Sequence, residues 1–156
     1  MPRSPLNLSI STAIACSIVA GGCTVVRPNA RASAAHLGMQ SGGAAEVDIT
    51  LELSNTGSTE IELVTYDYLI TLEDGSSYDG RWAALRALPP GQTIVASVPA
   101  IVPASSARVG ARWTVSGTAS YRDPQSFARI LYEAGLLKTQ ASFGGTGILA
   151  EAAKPK

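Results

Sequence analysis

The residue with the clearest chemical potential is a cysteine near the start of the chain, Cys23. The one other cysteine, Cys16, lies inside residues 6–20, an uncharged apolar run with the sequence LNLSISTAIACSIVA. Arg3 precedes this run, and a basic start followed by an apolar stretch of this length is typical of a secretory signal peptide. A disulfide between the two cysteines would not survive removal of the leader, so we expect Cys23 to be the single thiol of the mature chain.

The four residues before Cys23 predict where the leader is cut. They are the small or short residues Val19, Ala20, Gly21 and Gly22, which can enter a narrow peptidase cleft as an extended chain. The pattern resembles a bacterial lipobox, with Ala20 where leucine is usual, and it predicts cleavage before Cys23 and lipidation of its thiol. The alternative is an ordinary signal peptide cut at another small-residue site, with Cys23 incidental.

Other side chains that could do chemistry are few and separated. His36 is the only histidine, no G-x-S-x-G motif occurs, and a lone histidine in a small, polar segment is usually solvated. Asp74 and Asp79 could pair as acid and base or hold calcium, but without further oxygen ligands nearby a turn residue and a surface charge are favoured. We therefore expect a protein that is not an enzyme, with no catalytic residue, metal ligand, cofactor or small-molecule substrate.

Two further motifs carry weak signals. The glycine-rich residues 144–147 (GGTG) are similar to a phosphate loop but lack the lysine and helix that should follow, so we expect a bend at the end of a strand. Arg108, Arg112 and Arg122 could form a basic stripe toward lipid headgroups, although a solvated strand face is the interpretation that we favour.

Composition limits the class of partner. The 156 residues leave room for one domain, and a chain that is 46% hydrophobic and 15% charged is too apolar to be disordered. Basic and acidic residues number 12 each, and loss of the leader with Arg3 would leave a charge of about −1. Nucleic acid is therefore not expected as a partner.

From residue 46 onwards, apolar and polar residues alternate, which predicts half-buried β-strands. The segments with this pattern are residues 46–53, 60–72, 78–85, 109–121 and 136–143. Residues 93–102 are apolar nearly throughout, which predicts a strand that is buried on both sides or lies at a packed edge. Tyr78, Gly80 and Trp82 are expected on one face of their strand, and Trp113 is expected at the centre of the core. A change of phase near Val64 and Thr65 predicts a β-bulge, and Pro99 favours a sheet edge for its strand.

The remaining segments predict turns, one helix and two irregular ends. Asp74-Gly75 predicts a hairpin and residues 89–91 (PPG) a turn. A short helix should start at Asp123-Pro124, stop at Gly135 and close one end of the sandwich with an apolar stripe of Phe127, Ile130, Leu131 and Ala134. Residues 23–45 are predicted to be a tether with a weak first strand at residues 33–39, and residues 150–156 a frayed tail.

These elements predict an all-β sandwich of about seven strands, with one short helix before the last strand and a cleaved signal peptide, residues 1–22, before it. The segments VDITLELSNTGSTEIELVTYDYLITLEDG and LPPGQTIVASVPAIV, followed by VSGTASY and GLLKTQASFGGTG, lie within residues 46–149. This part of the chain resembles the WHy (water stress and hypersensitive response) domain of the late embryogenesis abundant (LEA) type 2 family. The usual Asn-Pro-Asn of that family is here Asn55-Thr56-Gly57.

The resemblance implies an immunoglobulin- or fibronectin-III-like sandwich and a non-enzymatic role in desiccation or osmotic stress. Bacterial relatives are often envelope lipoproteins, so we expect an exported protein on the periplasmic side of the outer membrane. Its partners would be the membrane, through the N-terminal lipid, and envelope proteins. The alternative is a binding module or accessory subunit of an envelope assembly that acts through a strand edge or loops.

Overall fold

The predicted strand segments, apart from residues 60, 109–111 and 136–139, form β-strands in the computed structural model, which describes residues 27–122 and 126–152. In chain order the elements are β1 (Asn29–Ser41), β2 (Ala44–Ser54), β3 (Ile61–Leu72), β4 (Ser77–Leu88), β5 (Thr93–Pro103), β6 (Arg112–Arg122), α1 (Ser126–Glu133), β7 (Gln140–Ile148) and β8 (Ala150–Glu151). One sheet has the order β5-β2-β1-β8, and the other has the order β4-β3-β6-β7. The predicted all-β sandwich is therefore confirmed.

The two sheets bury one side of each strand between them. In β2 every second residue is almost completely buried, and these residues are Ala45, Val47, Ile49, Leu51 and Leu53. In β6 the buried residues are Trp113, Val115, Ala119 and Tyr121, so Trp113 does lie in the core. Successive side chains of a strand point to opposite faces, and this is why the alternation that predicted the strands also predicted the core.

Strand β3 contains the bulge that the change of phase predicts. Leu63 and Thr65 pair with consecutive residues of β6, so Val64 between them is the extra residue. On the other side of β3, two residues of β4, Ala84 and Leu85, lie opposite Val64, and Leu85 has a φ of 41°. The bulge allows both halves of β3 to place their apolar side chains in one core.

The first strand is much longer than the sequence predicts. β1 has 13 residues and pairs with β2 along its length, where only a weak strand at residues 33–39 was expected within a tether. Its inward positions include Ala32 and Ala35, and alanine gives little hydrophobic contrast from which to detect a strand. The sandwich therefore begins at Asn29 and not at residue 46.

The glycine-rich residues 144–147 lie inside β7, and the predicted bend is wrong. A Cβ atom on Gly145 would overlap the carbonyl group of Ala32 in β1, and one on Gly147 would come within 2.9 Å of the Trp113 ring. Gly145 therefore lets β7 of one sheet approach β1 of the other, and Gly147 leaves room for the Trp113 ring of the neighbouring strand β6. The start of the predicted frayed tail is also ordered, because β8 pairs in parallel with β1.

Helix α1 ends as predicted. Gly135 has a φ of 71°, and the N–H groups of Gly135 and Leu136 donate to the carbonyl groups of Tyr132 and Leu131, at 3.0 and 2.9 Å. This is a Schellman motif, which requires a left-handed residue after the last helical turn. The predicted N-terminal residues, Asp123 and Pro124, lie outside the described residues.

The predicted apolar stripe of α1 is not buried as a stripe. Ile130 is 61% exposed and Ala134 is also exposed, whereas Leu131 and Tyr132 are half-buried; the Phe127 side chain lies outside the described part of the chain. The helix has only eight residues, and only the side with Leu131 and Tyr132 contacts the rest of the protein. Within the described ranges, no helix is long and apolar enough to cross a membrane.

Candidate functional site

The predicted lipidation residue, Cys23, and the predicted lipobox (Val19, Ala20, Gly21 and Gly22) lie outside the described residues. The structure does describe the element that follows them, because β1 begins at Asn29. We call this end of the sandwich the proximal end; it also holds the loop after β2, the turn between β4 and β5, and α1. The opposite end, with the turns at Gly42 and Gly75, is the distal end.

One buried polar side chain, Asn55, joins the loops of the proximal end. Asn55 is 1% exposed, and its Nδ2 donates to the carbonyl groups of Thr59, at 2.7 Å, and Leu88, at 3.0 Å. Its Oδ1 accepts the N–H of Gly57 at 2.9 Å, and its own N–H donates to the carbonyl of Gln92. A single asparagine therefore connects the loop after β2, in one sheet, to the end of β4, in the other.

Sequence reasoning found only part of this role. The cluster of Ser, Thr, Asn and Gly in residues 54–58 indicated a turn with side-chain hydrogen bonds, and the bond to Gly57 is of that kind. The bond to Leu88 spans 33 residues, so no local pattern could indicate it. The available signal was the place of Asn55 in the segment that resembles the WHy domain.

The two aspartates are not brought together as an acid and base. The hydroxyl and the N–H of Ser76 both donate to the Asp74 carboxylate and hold the pKa of Asp74 below its ordinary value of 3.8. Asp79 lies on β4 opposite Leu69 and is exposed. Asp74 is therefore a turn residue and Asp79 is a charged surface residue, which is the interpretation that the sequence favours. No group of three or more His, Cys, Asp or Glu within the described ranges is placed to hold a metal ion.

The three arginines do not form a stripe. Arg112 and Arg122 lie at opposite ends of β6, about 33 Å apart for a strand of that length, and Arg108 lies in the loop before it. Arg108 pairs with Glu73 at 3.3 Å, and Arg122 pairs with Glu62 at 3.0 Å. Exposed pairs of this kind contribute at most about 1 kcal/mol, so these arginines are ordinary surface residues.

His36 lies in β1 and not in a solvated tether. It pairs with Asp48 of β2 and with Ala150 of β8, its side chain is half-buried, and its Nδ1 has no hydrogen-bond partner among the described residues. The Asp48 carboxylate accepts the hydroxyl of Ser97, at 3.3 Å.

A cleft of about 420 Å³ lies on the outer face of the second sheet, beside α1. It is lined by residues that include Thr65 at the bulge, Tyr132 and Lys138, and by the ion pair of Arg81 with Asp67. The two charges of that pair neutralise each other. Lys138 is therefore the charged residue of the cleft lining that has no ion-pair partner among the described residues.

One open side of the sandwich lies between β4 and β5, each of which is an edge strand of its sheet; the opposite edges are β7 and β8. Pro99 lies in β5, so its predicted edge position is confirmed, and its carbonyl accepts the hydroxyl of Tyr68 from the opposite sheet. The carbonyl of Val95 accepts the guanidinium of Arg86, at 2.9 Å. These bonds occupy backbone groups that an added strand would need, so β5 is protected and β4 is the more accessible edge.

Trp82 is 47% exposed on this open side. It lies opposite Tyr66 of β3, so it is on the face of β4 that points toward the other sheet. Because β4 is an edge strand, that face is only partly covered. Tyr78 and Gly80, which the sequence predicts on the same face as Trp82, lie opposite Ile70 and Tyr68 of β3.

The hydroxyl groups of Tyr66 and Tyr68 provide a matched test of this arrangement. Tyr68 donates to Pro99, whereas the buried Tyr66 hydroxyl has no hydrogen-bond partner among the described residues. Burial raises the pKa of both side chains, so both hydroxyl groups are protonated. We expect Tyr68→Phe to lower the free energy of unfolding by about 1 kcal/mol and Tyr66→Phe to leave it unchanged or raise it. Urea unfolding would measure both, and equal losses would contradict the assignment.

Comparison with solved structures identifies the fold. The chain superposes on the solution structure of a proposed late embryogenesis abundant (LEA) protein. The TM-score is 0.57 and the sequence identity is 13%, over 80% of this chain and 72% of that one. The fold is LEA-like. A solution structure of an Arabidopsis thaliana protein matches the LEA-like sandwich with a TM-score of 0.60 and 14% identity, over 88% and 92% of the two chains.

A bacterial protein has a similar sandwich. A crystal structure from Bordetella pertussis, assigned as ApaA, matches with a TM-score of 0.50 and 16% identity, over 83% of this chain and 99% of that one. At sequence identities of 13–16%, these similarities show the fold alone. No protein-family model matches this sequence, and no curated protein matches it.

Proposed function

We propose that this protein is a non-enzymatic lipoprotein of a bacterial cell envelope, with a WHy-type sandwich that protects envelope components during desiccation or osmotic stress. The LEA-like fold is the observation that carries the proposal. The lipobox-like residues before Cys23 and the motifs of residues 46–149 support it. The membrane would be a partner through the lipid on Cys23, and the domain would face the periplasm from the outer membrane.

A protective role fits the outer face of the first sheet. The outward residues of β2 alternate with its buried ones and are mostly acidic or hydroxylic: Glu46, Asp48, Thr50, Glu52 and Ser54. The guanidinium of Arg31 donates to Glu52 at 2.6 Å and lowers the pKa of that carboxyl. Carboxylate and hydroxyl oxygens accept hydrogen bonds, so this face can replace water at the polar surface of a neighbouring protein or lipid headgroup.

Survival of water loss tests the protective role. A strain that lacks the gene should survive drying or osmotic shock less well than its parent, and the wild-type gene should restore survival. Growth without stress is the control, because a general growth defect would indicate another role. Unchanged survival in the deletion strain would count against the proposal.

The alternative, a binding module of an envelope assembly, is favoured by the accessible edge of β4. Strand addition at a sheet edge is a common way to bind an extended peptide, and the half-exposed Trp82 beside this edge could contact such a partner. Crosslinking from intact envelopes, with a photoreactive residue in place of Ala87, discriminates between the two functions. One stoichiometric product would favour the binding module, and weak, diffuse products would favour protection.

A further inference from the structure

The segment between the proposed lipid and the sandwich is short. β1 begins at Asn29, six residues after Cys23, and six residues reach at most about 20 Å when fully extended. An acyl chain on Cys23 would therefore keep the proximal end close to the bilayer surface. Helix α1 lies at that end, because it follows the end of β6, which pairs with the start of β3.

The segment that connects β6 to β7, which contains α1, exposes apolar side chains on one side. We call residues 129–138 the α1 segment; in it, Ile130 is 61% exposed and Leu136 is 78% exposed. Ala134, one helical turn after Ile130, is also exposed and shares its face. Leu131 and Tyr132 are half-buried, so the segment contacts the protein on one side only. A short amphipathic helix with a free apolar face is suited to the boundary between headgroups and acyl chains.

The charges of the α1 segment suit an anionic surface. Its charged residues are Arg129, Glu133 and Lys138, and Arg129 pairs with Glu133 at 2.9 Å. The pair is neutral, so the exposed Lys138 gives the segment a net positive charge. Basic residues beside a membrane are attracted to anionic lipid headgroups.

The exposure of apolar side chains does not by itself indicate which end of the sandwich contacts the membrane. The distal end also exposes apolar side chains: Met39 at 80%, Val109 at 55% and Ile148 at 63%. The 13 residues of β1 separate the two ends by about 40 Å, so the short tether brings only the proximal end to the bilayer. The distal residues therefore serve as matched controls.

We propose that the α1 segment lies on the lipid bilayer, with Ile130 and Leu136 in the headgroup boundary and Lys138 beside anionic headgroups. The sandwich would then stand on its proximal end with the distal end pointing into the periplasm. This inference rests on the proposed lipidation of Cys23.

A single fluorophore tests the contact. Cleavage removes Cys16 and acylation occupies the thiol of Cys23, so a cysteine introduced by Leu136→Cys is the only free thiol of the mature lipoprotein. The lipoprotein, purified from envelopes, is labelled and placed in vesicles of phosphatidylethanolamine and phosphatidylglycerol that contain nitroxide-labelled lipid. We expect quenching at least about twofold stronger than for the same label on Val109→Cys, because such segments lie about 5–10 Å into the boundary. Equal quenching at the two positions would overturn the proposal.

A pair of isoleucine variants tests the apolar contribution. In the labelled Leu136→Cys protein, Ile130→Glu should reduce quenching to the level found at position 109. Ile148→Glu changes an isoleucine of nearly the same exposure, 63% against 61%, and should leave quenching unchanged. Circular dichroism would verify that both variants remain folded. Unchanged quenching in a folded Ile130→Glu variant would also overturn the proposal.

Mass spectrometry of the mature N-terminus separates this inference from the function on which it rests. An acylated Cys23 with equal quenching at positions 136 and 109 would overturn only the contact of the α1 segment. An unmodified Cys23 would overturn the lipoprotein function, and the contact with it.

Discussion

Replacing Cys23 with serine is expected to abolish retention of the processed protein in the membrane. The proposed lipid is attached through the Cys23 thiol, and a serine hydroxyl does not replace that thiol in a lipobox-like site. Each CH₂ group of an acyl chain that is buried in the bilayer contributes about 0.8 kcal/mol to membrane binding. Without the acyl chains, the whole of this contribution is lost. Detergent partitioning would measure attachment, and the mass of the product would separate processed chains from uncleaved precursor.

The chain contains a matched control for this experiment. Cys16 is the only other cysteine and lies in the predicted leader, so Cys16→Ser should leave processing and attachment unchanged. If the processed Cys23→Ser protein partitioned into detergent as firmly as the wild type, Cys23 would not be the site of the anchor. The lipoprotein proposal would then fail.

Replacing Asn55 with alanine is expected to lower the free energy of unfolding by about 2–4 kcal/mol. The change removes three hydrogen bonds and leaves the Leu88 carbonyl, at the buried end of β4, without its partner. A lost hydrogen bond costs about 1 kcal/mol, and a buried group without a partner costs about 1–3 kcal/mol. Urea unfolding of the purified protein would measure the loss.

Two further asparagine variants make this prediction specific. Asn29 is exposed at the same end of the sandwich, so Asn29→Ala should change stability by less than about 0.5 kcal/mol. Asn55→Asp keeps the oxygen that accepts the N–H of Gly57 but places a carboxylate against the carbonyl groups of Thr59 and Leu88. It should therefore destabilise the protein at least as much as alanine. A loss no larger than that of Asn29→Ala would show that Asn55 does not join the two sheets.

Several features were predictable because their signals are local. The alternation in β2 and the phase change at Val64 depend on the two-residue period of a strand, which is the same in any β-sheet. The left-handed Gly135 and the turn at Asp74 follow from the backbone preferences of single residues.

Other features were missed because each depends on a residue far away in the chain. The bend predicted for residues 144–147 failed because the need for Gly145 arises from Ala32 in the other sheet. The exposure of Trp82 depends on β4 being an edge strand, which the residues around Trp82 do not indicate. The sequence did not predict the full length of β1, because its inward alanines differ little in hydrophobicity from its outward residues. The strand is recognised only from its pairing with β2.

The sequence by itself determined strands β2 to β6, the inward face of β2 and β6 and the prediction of a cleaved, lipidated N-terminus at Cys23, because periodicity and peptidase motifs are linear properties. Only the tertiary structure decided that Asn55 joins two sheets, that Pro99 and Val95 protect one edge, and that Ile130 and Leu136 remain uncovered beside the start of β1. The physical reason is that hydrogen bonding between loops and the burial of a side chain depend on which distant elements fold against it.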